Sequence, residues 1–277
     1  MKIGSLNVNG IRAFGTSRYP GAPEFFDYVG PDCLCLQEVK GDTQRLKESL
    51  KSILNKAHYT AYVAPSLGKS GYSGVGLLLK PSLTDVKYEV KSVELSDFLH
   101  NYDFYTPDLH NSLKYYGSGR IIQYESDTKI IISVYVLNSG GKDNLRQYWD
   151  KLFNDYLTDL VKSNKSKDIY ILGDFNVCHK SIDMWNWDKA LNTSPGLMQF
   201  EIDGFDRLLE STKLTDSFRF LHPDERKYSW SAPRVPLSKG WRLDYALVSD
   251  MSKVISSNID STVRCSDHLY IQLEVKD

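Results

Sequence analysis

Two segments of this chain follow one pattern. Asp32-Cys-Leu-Cys-Leu-Gln-Glu38 and Asp168-Ile-Tyr-Ile-Leu-Gly-Asp174 each run from an acid through mainly apolar residues and a Leu to a linker residue and a second carboxylate. A strand with one wet face alternates apolar and polar residues, whereas these runs are apolar on both faces and must lie between two layers. A two-fold repeat of one sheet unit explains the match. Each unit would mount an acid just past the end of a buried strand, where a rigid sheet backs it.

The rest of the chain supplies the layers. Lys2–Val8, Asp32–Leu36, Tyr59–Val63, Gly74–Leu79, Arg120–Tyr124, Lys129–Val136, Asp168–Leu172, Arg242–Val248 and Leu269–Val275 read as strands, most bounded by Gly, Pro, Asn or Asp. Three stretches read as helices: 43–54, 143–162 with Asp143 as its cap, and Met198–Glu210. In the second, Leu145, Trp149, Leu152, Phe153 and Tyr156 recur at steps of three, four and one. The segment Val93–Tyr116 has no clear period. Many strands with few helices predict an α/β fold of two packed sheets with helices outside.

Nothing in the chain suggests a linker, so residues 1–277 are expected to form a single domain. The longest apolar stretch, Ile130–Leu137, is too short to span a bilayer, and the N-terminus has no signal-peptide pattern. Cys33, Cys35, Cys178 and Cys265 lack zinc-ligand spacing and read as buried, reduced thiols of an intracellular protein. With 34 Lys+Arg against 35 Asp+Glu the net charge is −1, so a polyanionic partner must be met by a local patch, helped by bound cations.

Polar residues interrupt the apolar strands at their ends: Asn7 and Asn9, Glu38, Tyr135 and Asn138, Asp174 and Asn176, Asp244, and Ser266-Asp267-His268. Each alone is most often a turn or cap residue. Together they form a set that a core does not need, and its chemistry suits metal-assisted hydrolysis of a phosphodiester. A hard divalent cation offsets the charge that slows attack on phosphate. Glu38 and Asp267 would bind it, with Asn7 as a neutral helper. Asp174 would deprotonate the attacking water with Asn176 beside it, and His268, paired with Asp244, would face the phosphate as a cation. Tyr135 and Asn138 would donate to phosphate oxygens. Walker, GxSxG and HExxH motifs are absent. The Gly-rich Gly71-Tyr-Ser-Gly74-Val-Gly76 precedes a strand rather than a helix, so it is not read as a nucleotide cradle.

Several motifs are narrower still. Ser5-Leu-Asn7-Val-Asn9-Gly-Ile-Arg-Ala13, Leu36-Gln-Glu38-Val-Lys40, Gly71-Tyr-Ser-Gly-Val-Gly76, Val134-Tyr135-Val-Leu-Asn138, Gly173-Asp174-Phe-Asn176-Val-Cys-His179, Asp216-Ser-Phe-Arg219, Gly240-Trp-Arg-Leu-Asp244-Tyr245 and Ser266-Asp267-His268 stand in this order along the chain. In these the sequence resembles the exonuclease III-type apurinic/apyrimidinic (AP) endonucleases, within the endonuclease/exonuclease/phosphatase superfamily. The resemblance implies a four-layered α/β sandwich and Mg²⁺ dependence, with Mn²⁺ as a substitute. It implies incision 5′ to abasic sites in duplex DNA, with 3′-phosphodiesterase, 3′-phosphatase or 3′→5′ exonuclease activity on blocked 3′ ends.

By motif, Tyr135, Asp174, Asn176, Asp244 and His268 are the expected catalytic residues. Asn7, Glu38, Asp174, Asn176, Asp267 and His268 are the expected metal site, and Asn138, Tyr72, Trp230 and Trp241 the substrate contacts. The chain departs from the family at Leu137, which replaces a Pro, at Gly117-Ser118-Gly119-Arg120, where Glu-Gly-Arg is usual, and at Leu269-Tyr270. It also departs in Ile182–Trp187 and at Ile202.

Residues 219–242 carry Arg219, Arg226, Lys227, Arg234, Lys239 and Arg242 among aromatics, and are read as phosphate contacts with Trp230 and Trp241 as a wall for an extruded sugar. Core packing is the alternative for either Trp, as it is for Trp185 and Trp187. His179 and Asp183 are read as supporting or turn residues rather than ligands. The expected protein is a monomer without membrane association, nuclear in a eukaryotic host and in the cytoplasm or nucleoid of a prokaryotic one. Two other readings are a superfamily phosphatase or phosphodiesterase with a non-DNA substrate, and a non-catalytic DNA-binding module.

Overall fold

The computed structural model describes residues 1–14, 25, 28–51, 54–55, 58–262 and 264–276. One sheet contains β1 (Lys2–Asn7), β2 (Cys33–Gln37), β3 (Thr60–Ala64), β4 (Val75–Leu79), β11 (Val254–Asp260) and β12 (Tyr270–Val275), in the order β11-β12-β1-β2-β4-β3. The other contains β5 (Tyr88–Ser92), β6 (Ile121–Ser126), β7 (Lys129–Tyr135), β8 (Asp168–Asp174), β9 (Thr215–Asp216) and β10 (Asp244–Val248), in the order β5-β6-β7-β8-β10-β9. The two acid-bearing strands hold equivalent places. Each has a parallel neighbour on one side (β1 for β2, β7 for β8) and an antiparallel one on the other (β4 and β10). The repeat seen in sequence is therefore a repeat of topology.

The sheets pack face to face. Ile3, Cys33, Cys35 and Leu77 of the first meet Tyr124, Ile131, Leu172 and Ala246 of the second. Behind the second sheet, Ile130, Ile132, Ile169 and Ile171 are covered by Trp149, Phe153 and Leu157 of one helix (Asp143–Ser163) and by Phe205 and Leu208 of another (Gln199–Thr212). Behind the first sheet, Leu34, Leu36 and Leu78 are covered by Leu46, on the helix Thr43–Ser49, and by Leu50 and Leu54. The result is the expected four-layered α/β sandwich. Full burial of each of these aliphatic side chains stabilises by roughly 1.5–3 kcal/mol. All four cysteines are buried and free. Among the described residues no helix is long and apolar enough to cross a membrane.

The differences from the sequence reading have physical causes. β5 and β11 are edge strands, largely polar and only partly buried, so they lack the apolar signal. The segment 93–116 contains a 3₁₀ turn, Leu95–Asn101, and a helix, Pro107–Gly117, capped by Thr106. That helix buries only Leu113 and Gly117, too little for an apolar stripe. Asp143 lies in the first turn of its helix, and Lys142 is the cap residue. The helix expected over 43–54 is regular to Ser49, and its positions 52 and 53 lie outside the described residues. In chain order we call the helices Thr43–Ser49, Pro107–Gly117, Asp143–Ser163 and Gln199–Thr212 α1 to α4.

Candidate active site

Because β1 and β2 run parallel, as do β7 and β8, their outgoing ends lie together on one rim of the sandwich. β1 ends at Asn7, β2 delivers Glu38, β7 ends at Tyr135 and β8 at Asp174. The antiparallel β10 starts there with Asp244, opposite Asp174, and β12 starts just after His268. Left-handed backbone is concentrated here: Asn9 (φ 46°), Glu38 (50°), Lys40 (52°), Ser73 (41°) and Asn176 (48°). Such strain persists where the surrounding structure over-determines it, and functional sites are where it collects.

Several devices hold the rim. Between the sheets, Ser5 Oγ donates to Gln37 Oε1 (3.1 Å) and Gln37 Nε2 to Ser133 Oγ (3.1 Å), fixing the residue before Glu38. The glycine-rich segment braces the Glu38 loop: Val39 N donates to Gly74 O and Lys40 N to Ser73 O, both at 2.9 Å. Gly74 has φ +87°, and a Cβ there would lie 3.3 Å from Lys40 N.

Asn7 Nδ2 joins the two acids, donating to Glu38 Oε1 (2.9 Å) and Asp174 Oδ2 (3.0 Å). Glu38, Asp174 and His268 offer ligand atoms that all lie within 4.8 Å of one another. His268 Nδ1 is 2.8 Å from Asp244 Oδ2, and its Nε2 is 3.9 Å from Asp174 Oδ2. Burial, then Asp244, pushes the pKa of Asp174 up to about 7, with Glu38 adding to it against His268 and the Asn176 N–H. Burial works against the proton of His268, but Asp244, Asp174 and Asp267 outweigh it and raise its pKa to about 10. Burial also opposes the charge of Glu38, yet Lys40 and Asn7 hold it below the usual carboxylate range. The site thus offers an ionised acid, an acid poised near neutrality and a protonated imidazole.

Carboxylate oxygens are donors that hard divalent cations prefer, so Glu38 and Asp174 could hold a metal. Asn7 turns Nδ2 to both acids while its Oδ1 accepts from Asn9 N at 3.0 Å, so it would join as an oxygen ligand only with its amide turned. His268 can join them only by giving up its proton, because a coordinating imidazole is neutral. Asp267 stands beside the trio, taking hydrogen bonds from Asn9 Nδ2 and Trp230 Nε1, each at 3.3 Å. Burial opposes its charge, and His268 and Trp230 keep its pKa low.

The substrate-facing candidates lie around this centre. Tyr135 is buried, and burial, then Glu38, raises its pKa well above the usual phenol value, so it stays a donor. Asn176 N donates to Asp174 Oδ1 (2.9 Å), and Asn138 Nδ2 donates to Asn176 Oδ1 (3.0 Å), so Asn138 orients Asn176. Trp230 and Trp241 are half-buried with centroids 5.8 Å apart, and Trp230 lies 6.3 Å from the His268 ring. The Tyr72 hydroxyl receives a bond from Arg120 Nη2 (3.2 Å).

Sequence reasoning missed four supporting residues. Lys40, already in a quoted motif, bridges Glu38 Oε2 (2.8 Å) and Asn9 Oδ1 (2.6 Å). Ser229 donates to Asp244 Oδ2 (2.6 Å) and is fully buried. Arg120, buried under Tyr135 with its guanidinium 4.7 Å from the ring centroid, donates to the Tyr135 carbonyl at 3.1 Å. Glu94 accepts from Gly119 N at 3.2 Å.

One reading is corrected. Arg219 and Arg242 do not face DNA: Arg242 is fully buried, forks onto Asp183 (2.7 and 2.9 Å) and reaches Asp216 (2.8 Å), while Arg219 joins Asp183 at 2.5 Å. Arg226, Arg234 and Lys239 remain exposed. His179 pairs with Asp206 at 2.7 Å. Trp185 is exposed, with Lys239 over its ring, and Trp187 packs at the edge of the core.

Residues 4–268 match the endonuclease/exonuclease/phosphatase family. The DNA repair nuclease APEX1 of Danio rerio is 33% identical over 282 residues, covering 99% of this chain and 81% of that protein. An exodeoxyribonuclease of Streptococcus pneumoniae is 33% identical over 296 residues, 99% of each chain. The AP endonuclease LMAP of Leishmania major shares the fold with a TM-score of 0.81 at 24% identity, over 100% of this chain and 87% of that one. On the family match and these identities, the chain belongs to the endonuclease/exonuclease/phosphatase family, in its branch of AP endonucleases and exodeoxyribonucleases.

Proposed function

We propose that residues 1–277 work as one domain, a DNA repair nuclease that hydrolyses the phosphodiester 5′ to an abasic site in duplex DNA. The same site would clear blocked 3′ ends as a phosphodiesterase, phosphatase or 3′→5′ exonuclease. The observation that carries this reading is the meeting of Glu38, Asp174 and His268, from distant parts of the chain, within 4.8 Å. The repair nuclease and exodeoxyribonuclease named above, each 33% identical, support DNA as the substrate. We assign the protein to the inside of the cell, as a monomer, in the nucleus of a eukaryote or the cytoplasm or nucleoid of a prokaryote.

Mg²⁺, with Mn²⁺ as a substitute, would be held by Glu38 and Asp174 with Asp267 alongside, and by Asn7 through Oδ1 once its amide turns. Bound there, such an ion offsets negative charge on the phosphate. Asp174 accepts the proton of the attacking water, with Asn176 holding that water or a phosphate oxygen. As the new P–O bond forms, the bond to the 3′ oxygen breaks and that oxygen takes a proton from solvent, leaving a 3′ hydroxyl and a 5′-phosphorylated abasic residue. His268, protonated by its pairing with Asp244, faces the developing charge as a cation rather than as a ligand. Tyr135 and Asn138 donate to the non-bridging oxygens. Trp230 and Trp241 wall the extruded sugar, with Tyr72 as a further substrate contact and exposed Arg226, Arg234 and Lys239 reaching phosphates.

A duplex carrying a tetrahydrofuran abasic analogue tests this. The protein should nick it 5′ to the lesion with Mg²⁺ and not with a chelator, and Asp174→Asn should abolish nicking while the duplex still binds. Wild-type protein that binds this duplex without cutting it would overturn the reading.

A further inference from the structure

The first turn of α3 carries a side chain that no motif singles out. Arg146 is 2% exposed, and its guanidinium reaches under the rim. Nη1 donates to the carbonyls of Leu137 (2.6 Å) and Asn176 (3.4 Å), and Nη2 to that of Phe175 (3.2 Å). Nε meets both oxygens of Asp150 at 2.7 Å, and Glu201, fully buried on α4, lies 3.6 Å from Nη1.

The carbonyls it gathers have a clear place. Leu137 lies between Tyr135 and Asn138, and Phe175 and Asn176 follow Asp174 directly. The β7–β8 ladder has its last register pair at Tyr135 and Asp174. Beyond it Val136 N and Phe175 N still donate to Asp174 O and Leu243 O, but the buried carbonyls of Leu137, Phe175 and Asn176 take no backbone hydrogen bond among the described residues and need other donors. A planar fork with five N–H groups can serve three carbonyls and an acid at once, and a lysine cannot.

We infer that Arg146 is a positioning residue for hydrolysis: it sets the spacing of the Tyr135–Asn138 segment against the Asp174–Asn176 segment. This rests on the function proposed above, because those two segments are the ones that would face a single phosphate. Asp150 and Glu201 supply counter-charge so that the fork can sit where water does not reach. Nothing in its position brings Arg146 to the substrate.

Arg146→Met alone strands buried Glu201 and partly buried Asp150, so the test uses Arg146→Met/Asp150→Asn/Glu201→Gln. The glutamine can still accept from Gly196 N and Met198 N, which Glu201 holds at 2.6 and 3.1 Å. Single-turnover incision of the tetrahydrofuran duplex should fall roughly 10²-fold, with affinity for the duplex in chelator changed less than about twofold. Amide exchange should quicken at residues 136–138 and 175–177 and stay as in the wild type in β1 and β2. Arg146→Lys should fall between the two proteins in both readouts. A folded triple variant with wild-type incision, or with unchanged exchange in both segments, would overturn the inference. If the triple variant does not fold, Arg146→Lys decides on the same two readouts. If the wild type itself fails to cut, the functional reading falls and the exchange measurement alone decides whether Arg146 holds the segments.

Discussion

The ring of His268 gives Nδ1 to Asp244 at 2.8 Å and turns Nε2 toward Asp174, 3.9 Å away. With its pKa raised from 6.5 to about 10, the imidazole is a fixed cation at neutral pH. Asp244→Asn should return that pKa toward its ordinary value and slow incision by roughly 10²–10⁴-fold. A raised folded pKa means the pairing stabilises fully below pH 6.5 and ceases to do so as pH rises through about 10. The stability gap between wild type and variant should shrink across that window. NMR titration of the ring checks the cause, and a His268 that still titrates near 10 in the variant would exclude Asp244 as its source.

Glu94, outside the catalytic cluster, is also displaced in titration. Burial, opposed by the Gly119 N–H and Arg120 and reinforced by Asp97, raises its pKa from 4.5 to about 7. The folded protein therefore holds a proton there that the unfolded chain releases, so this site loses stability as pH rises from 4.5 to about 7. Glu94→Gln should melt higher than wild type at pH 8 and gain much less at pH 5. Thermal melts at the two pH values read this directly, at roughly 2–4 °C for each kcal/mol recovered.

Asp183 anchors two arginines, one of them fully buried. Asp183→Asn should cost about 3–5 kcal/mol, because it leaves Arg242 short of a counter-charge in the interior. Burial opposes the charge of Asp183, and Arg242 with Arg219 outweighs it and lowers the pKa below 3.8. Its stabilisation is therefore complete above pH 3.8 and disappears as pH falls through the lowered value. Urea midpoints along an acid series should show the variant losing less than the wild type.

Gly173 sits one residue before Asp174, with its α-carbon against β7. A Cβ there would lie 1.9 Å from the Val134 carbonyl oxygen. Gly173→Ala should destabilise by roughly 1–3 kcal/mol or more through forced separation of the strands. Denaturant unfolding measures the loss, and a variant as stable as the wild type would show that β7 and β8 can part without penalty.

The strand-end acids and amides were legible in the sequence because polar groups inside apolar runs are expensive and therefore conspicuous. The paired Asp32–Glu38 and Asp168–Asp174 runs also forecast the equivalent places of β2 and β8. Lys40, Arg120, Arg146 and Ser229 were not legible, because Lys, Arg and Ser are ordinary surface residues and only packing reveals that the last three are buried. The same ambiguity misdirected Arg219 and Arg242 toward DNA. Edge strands β5 and β11 were not legible because they are largely polar and only partly buried, so no apolar run marks them.

Glu38 and Asp174 belong to different sheets, and β12, which follows His268, pairs with β1 at the opposite end of the sequence. Neither half of the sandwich alone holds the means to cut. A chain still emerging from the ribosome, or one whose sheets have slid apart, would leave genomic DNA intact. Cleavage becomes possible only once folding is finished, and it ends before unfolding is complete.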